Sequence, residues 1–132
     1  MLHLVSSQRI SRQEMTRVGL QTFANIARDW GLNIDEQVCL LGIPRSTYFK
    51  WREEGSGRIS HDTLERLSYL LGIYKALQIL IPDPTLADSW VKRPNKDPLF
   101  GGGSALDRML SGNVADLYVV RQYLDSRRGG WN

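Results

Sequence analysis

The sequence predicts an all-α protein, a helix-turn-helix bundle followed by a second, small helical domain. Three observations carry that expectation. Alternation of period two is never sustained, so strand signals are nearly absent, while apolar residues recur at helical spacing. Glycine or proline closes the apolar-periodic runs at Gly31, Gly42, Gly55, Pro82 and Gly112. Asn33, Ser60 and Ser104 stand where N-capping residues belong, just ahead of such runs.

In chain order, residues 1–15 read as a loose polar arm carrying Arg9 and Arg12. Over residues 16–30, Val18, Leu20, Phe23, Ile26, Ala27 and Trp30 trace one helix face, which Gly31 ends. Asn33 caps a short second helix, with Asp35 and Glu36 where the helix dipole favours them and Val38, Leu40 and Leu41 on its buried side. Ile43-Pro44 leads into a third helix, RSTYFKWREE, that ends near Gly55. Ser60 caps a long fourth helix to Leu80, whose stripe is Leu64, Leu67, Leu70, Leu71, Tyr74, Leu77 and Ile81. Gly72 inside that stripe is costly in propensity and marks either a close helix contact or a kink.

Pro82-Asp83-Pro84 closes the long helix. Residues 85–92 form a brief helix with Leu86 and Trp90, and RPNKDPLFGGG is a loop by composition. Ser104 caps a helix over residues 105–110, and Asn113 starts the last, with Val114, Leu117, Val120 and Leu124 as its stripe and Tyr118 beside it. RRGGWN is the tail. The expected division is an arm (1–15), a helix-turn-helix domain with its connecting helix (16–81) and a second domain with the tail (82–132).

The 132 residues suffice for one domain or two very small ones, and 42% hydrophobic with 23% charged residues is ordinary for a globular chain. Two minimal modules would each have a thin core, so a partner or a dimer is expected to complete the burial. The net charge of +3 suits nucleic-acid contact without demanding it. Residues 1–59 carry eight Lys and Arg against six Asp and Glu, and residues 60–132 nine against eight. Neither half is a basic tail, so DNA contact would fall to a few placed side chains. Cys39, the only cysteine, excludes an internal disulfide and suits a reducing compartment. MLHLVSSQRISRQE lacks the apolar core of a signal peptide. No run of about 18 apolar residues is present to span a membrane, so a cytoplasmic protein with no membrane partner is expected.

LLGIPRSTYFKW, two short helices about a tight Gly-containing turn, matches the helix-turn-helix pattern. Gly42 is expected in the left-handed region, Ile43 in the angle between the helices, and Tyr48 and Trp51 facing inward. Winding the third helix at about 100° per residue puts Ser46 and Lys50 on the opposite face. Phe49 and Glu53 lie beside them, with Arg45 and Thr47 near the N-terminal end. Recognition helices read base edges with their N-terminal residues, and Arg45, Ser46 and Thr47 are suitable donors there. Lys50 and Arg52 are placed for phosphates. Antiparallel helix pairs with a glycine turn also occur in bundles that touch no DNA, and Glu53 and Glu54 would repel phosphate unless turned away. The residues alone leave both readings open.

Phe100-Gly101-Gly102-Gly103-Ser104 stands before a helix, as phosphate-cradling loops do. Yet no Lys-Ser/Thr follows, no strand precedes it, and it lacks a GxGxxG fingerprint. It reads as a glycine bend into a Ser-capped helix. His3 and His61 are far apart in sequence, and Cys39 lies among apolar neighbours. With no nucleophile–base set and no ligand cluster, neither an enzyme, a cofactor nor a metal is expected.

Residues 60–131 carry in order LERLSYLLGIYKALQIL, the Trp of ADSWVKRPN, LFGGGSALDRMLSG and VVRQYLDSRRGGW. This series resembles the Xre/MbcA/ParS-type antitoxin family. Trp90, Pro94-Asn95, Phe100-Gly101, Ser104-Ala105-Leu106 and Met109-Leu110-Ser111-Gly112 stand on the family's Trp, Pro-Asn, Phe-Gly, Ser-Pro-Leu and Leu-x-x-Gly. Ala105 replaces a Pro that merely suits a first helical turn, and Met109 replaces a Leu of similar size.

The resemblance covers about residues 16–131, with the helix-turn-helix in the place of the family's Xre-like domain. It implies a homodimeric antitoxin that neutralises a co-encoded toxin, commonly of the RES type that degrades NAD, and represses its own operon by binding operator DNA. It also implies toxin contacts at Trp90 and Phe100 and at a C-terminal end, Arg127, Arg128, Gly129, Gly130 and Trp131, that reaches toward the toxin's active site. From the residues themselves, RRGGW offers two guanidinium forks, a glycine pair and one aromatic anchor. A solvated tail is the alternative, against which the lone Trp131 counts. Two other readings stay open, a transcriptional regulator without a toxin and a pure toxin inhibitor without DNA contact.

Overall fold

The computed structural model describes residues 11–55 and 57–129, and the described residues form seven α-helices with no β-strand. α1 spans Arg12–Trp30, starting four residues before the apolar pattern does, because Ser11 Oγ accepts the Glu14 amide at 3.1 Å and caps a first turn that is polar up to Met15. Residues 12–15 of the expected arm are therefore helical. Residues 1–10, with Arg9, lie outside the described residues.

α2 (Ile34–Leu41) opens on a capping box in which Asn33 Oδ1 accepts the Glu36 amide at 2.8 Å and Glu36 Oε1 accepts the Asn33 amide at 2.9 Å. α3 spans Arg45–Glu54 and ends at Gly55. α4 (His61–Leu80) is capped by Ser60, as expected. The helix expected over residues 85–92 divides into α5 (Pro84–Ser89), capped by Asp83, and a 3-10 turn at Trp90–Lys92. A second such turn, Pro98–Phe100, sits inside the segment that composition presents as plain loop. α6 (Ala105–Met109) starts from a Ser104–Asp107 capping box, and α7 spans Val114–Gly129. α7 therefore carries Arg127, Arg128 and Gly129, which the sequence assigns to the tail; basic residues in a last turn complement the helix dipole and extend it.

One apolar cluster runs from Phe23, Ile26 and Trp30 of α1 through Leu40, Leu41 and Tyr48 to Leu70, Ile73 and Leu77 of α4, and on to Met109, Leu117, Val120 and Leu124. Each fully buried aliphatic side chain contributes about 1.5–3 kcal/mol. Among the described residues the packing is continuous across positions 81 and 82. α4 serves both halves: Tyr74 meets α1 at Asp29 and Trp30, while Leu77 and Leu80 stand beside Tyr123 and Leu124 of α7.

That enclosure explains where the expected stripes differ. A helix packed on several sides has no single buried stripe, and α4 buries Thr63, Arg66 and Ile73 as well as Leu70 and Leu77. Its Leu64, Leu67 and Leu71 instead form one wall of an open apolar groove facing Met15, Val18 and Phe23 of α1, and Val18 is 58% exposed rather than core. Gly72 marks a close helix contact: a Cβ there would lie 2.2 Å from Arg121 Nη1 of α7.

Candidate functional site

Two surfaces qualify, one in each half. In the front half Gly42 ends α2 at φ 67° and donates its amide to the Val38 carbonyl at 2.9 Å, so the left-handed turn is where the sequence puts it. The Thr63 hydroxyl donates to the Leu41 carbonyl at 3.1 Å and fixes α2 on α4. On α3, Tyr48 is buried and its hydroxyl donates to Gln37 of α2. Burial pushes the Tyr48 pKa up, against the lowering effect of Arg52, whose guanidinium stands 5.5 Å from the ring centroid. Trp51 covers Gly57, where a Cβ would lie 2.2 Å from the indole.

These inward contacts turn the opposite face of α3 outward. Arg45, Ser46, Phe49, Lys50, Arg52 and Glu53 are exposed and Thr47 is half-buried. Arg45 is pre-placed: its Nη1 lies 2.6 Å from Asp35 Oδ1 of α2, and its guanidinium carbon lies 5.5 Å from the Phe49 ring centroid. Among the described residues, Lys50 has no ion-pair partner. The face therefore presents hydrogen-bond donors near the helix N-terminus and an available cation one turn later, the arrangement that reads base edges and holds phosphate. Glu53 shares that face and would repel phosphate.

In the back half Trp90, Phe100 and Tyr123 form an aromatic cluster. Trp90 stacks on Tyr123 with centroids 6.2 Å apart, and Phe100 meets Trp90 and Tyr123 edge-on at 6.0 and 5.1 Å. Phe100 is buried and Trp90 half-buried. Arg127 lies 3.7 Å from the centroid of Tyr123, with its Nη2 3.7 Å from Asp97. A recess of about 180 Å³ opens beside Leu80, Trp90, Tyr123 and Arg127. Trp90, Phe100 and Arg127, expected from separate motifs, are thus brought together. Arg128 instead approaches Asp125 at 3.9 Å, Gly129 ends α7, and Gly130 and Trp131 lie outside the described residues. Sequence reasoning missed Tyr123 and Asp97. Tyr123 stands four positions before Arg127, the helical spacing at which a ring and a cation meet.

The glycine segment is a bend. Gly101 (φ 56°) and Gly102 (φ 87°) turn the chain, and the Asn95 amide donates to the Gly103 carbonyl at 2.9 Å. That pairing sets Pro94-Asn95 against the segment before Ser104, which makes two motifs separated in sequence one unit.

Comparison with known proteins matches residues 9–72 to the antitoxin Xre-like helix-turn-helix domain and residues 76–130 to the antitoxin Xre/MbcA/ParS C-terminal toxin-binding domain. The first match ends and the second begins within α4. The chain is also 54% identical over 112 residues to the uncharacterized protein y4oB of Sinorhizobium fredii (strain NBRC 101917 / NGR234), an alignment covering 84% of each chain.

Proposed function

The chain belongs to the Xre/MbcA/ParS antitoxin family, and from that premise we propose that it neutralises a co-encoded RES-type, NAD-degrading toxin and represses its own operon through α3, acting as a homodimer in the cytoplasm. The protein is an antitoxin with a DNA-binding helix-turn-helix domain and a toxin-binding C-terminal domain, and both are regulatory domains rather than enzymes.

The observation that carries the finer reading is the Trp90–Phe100–Tyr123–Arg127 assembly at the end of α7. It holds one guanidinium against a rigid aromatic support, so little side-chain freedom is lost when a partner binds it. A guanidinium fork held in this way can donate in pairs to carboxylate or carbonyl oxygens on a toxin's surface. The exposed Ser46 and Lys50, with Arg45 and Arg52 flanking them, support operator binding in the same way.

Co-expression tests it. An untagged RES-type toxin encoded beside this chain should co-purify with the tagged antitoxin, and growth should be rescued. A toxin that stays out of the purified complex rules the reading out. The outward Glu53, which would repel phosphate, favours a second reading, a pure inhibitor whose front half no longer touches DNA. A gel shift on the chain's own promoter separates the two.

A further inference from the structure

We propose that Phe49 reads the 5-methyl groups of thymine and so sets part of the operator specificity of α3; the proposal rests on DNA contact by this helix. Tyr48 is buried and Trp51 half-buried, whereas Phe49 is 42% exposed. At about 100° per residue it falls within about 60° of both Ser46 and Glu53, near the middle of the face that leaves the bundle.

The ring is also held. The Arg45 guanidinium lies over it at 5.5 Å, Asp35 fixes that guanidinium at 2.6 Å, and the Tyr48 ring sits 6.1 Å away at a 45° tilt. A phenyl surface neither donates nor accepts a hydrogen bond, so it gains nothing from phosphate or from purine acceptors. In the major groove the thymine methyl is the apolar feature, and phenylalanine is one of the side chains that meets it. Ser46 and Lys50, on the same face, leave that methyl unread because their heads seek acceptors.

The test uses the full chain and the promoter fragment upstream of its own gene, amplified either with dTTP or with dUTP. The dUTP product lacks thymine methyls and keeps the hydrogen-bonding pattern. Wild type should bind it about fourfold more weakly per contacted methyl, the worth of one buried methyl group. Phe49→Ala should bind both duplexes alike and more weakly than wild type binds the dTTP product. Phe49→Leu, still apolar, should keep part of the discrimination, and both variants should melt as wild type does. An equal dUTP penalty in wild type and Phe49→Ala, or none in wild type, overturns the proposal and leaves DNA binding standing. No shift of either duplex overturns promoter binding, and this inference with it.

Discussion

Arg66 of α4 donates from Nη2 to the Gly112 carbonyl at 2.9 Å while its Nε pairs with Asp62 at 2.9 Å. The same guanidinium fills the space beside Gly42, where a Cβ would lie 2.6 Å from Nε. Gly42 is the helix-turn-helix turn and Gly112 the turn ahead of α7, so one buried cation holds the DNA-facing half to the partner-facing half. The Cys39 thiol, 3.4 Å from the Leu110 carbonyl, adds a second tie between the same two turns.

Arg66→Met should therefore lower stability by about 2–3 kcal/mol in urea unfolding, the worth of hydrogen bonds from a charged group. Gly42→Ala should cost about 1–2 kcal/mol from its left-handed conformation alone, and more from the collision with Arg66. The double variant decides the matter. With Arg66 shortened the collision is relieved, so the combined loss should be smaller than the two added. Strict additivity would mean that the two positions do not share the contact.

Tyr74 donates its hydroxyl to Asp29 Oδ2 at 2.6 Å, and this bond, helped by burial, pushes the tyrosine pKa from 10.0 up to about 12. The folded state thus holds the proton more tightly than the unfolded chain does. The contribution is complete below pH 10.0 and is lost as the pH rises toward about 12. Tyr74→Phe should show a shallower fall in Tm across that window than wild type. Identical slopes would remove the Tyr74–Asp29 bond from the account.

Much of this fold was legible because its signals are local. Asn33, Ser60 and Ser104 cap helices within three residues of themselves, and Gly31, Gly42 and Gly55 end helices by their own φ values. The start of α1 was hidden because Arg12, Gln13 and Glu14 are polar residue types that add nothing to an apolar periodicity. Val18 departs from expectation because α1 and α4 part along an open groove and leave one residue of the α1 stripe uncovered, while the enclosure of α4 on several sides draws Arg66 inside. At the candidate sites, the α3 face followed from winding one helix. The Asp97–Arg127 contact joins positions 30 apart in sequence, and no local pattern reports it.

On the DNA side, Lys50→Ala should weaken promoter binding by a similar factor on different sequences and lower the salt slope by about one. Arg45→Ala should weaken it as well but relax discrimination at one base position, because Asp35 holds that guanidinium in a fixed place at the helix N-terminus. Gel shifts across a salt series check both. An unchanged slope in Lys50→Ala would move the phosphate contact elsewhere on α3.

Phe100 and Arg127 belong to one cluster and should nonetheless fail differently. Phe100 is packed against Trp90 and Tyr123, so Phe100→Ala should cost about 3–5 kcal/mol of stability, and lost neutralisation would then follow from unfolding. The Arg127 side chain is 50% exposed, and a surface ion pair such as the one with Asp97 stabilises a fold little. Arg127→Ala should therefore keep the wild-type Tm. If the end of α7 is the inhibitory element, it should also weaken inhibition of NAD cleavage by roughly thirty-fold, the loss of one binding hot spot. Deleting residues 129–132 removes Gly129, Gly130 and Trp131 while sparing the cluster, and should release the toxin with helix content and promoter binding intact. NAD consumption by the purified complex, read beside circular dichroism, separates these outcomes. Full inhibition by both variants would shift the toxin contact away from the C-terminal end and onto the half-buried face of Trp90.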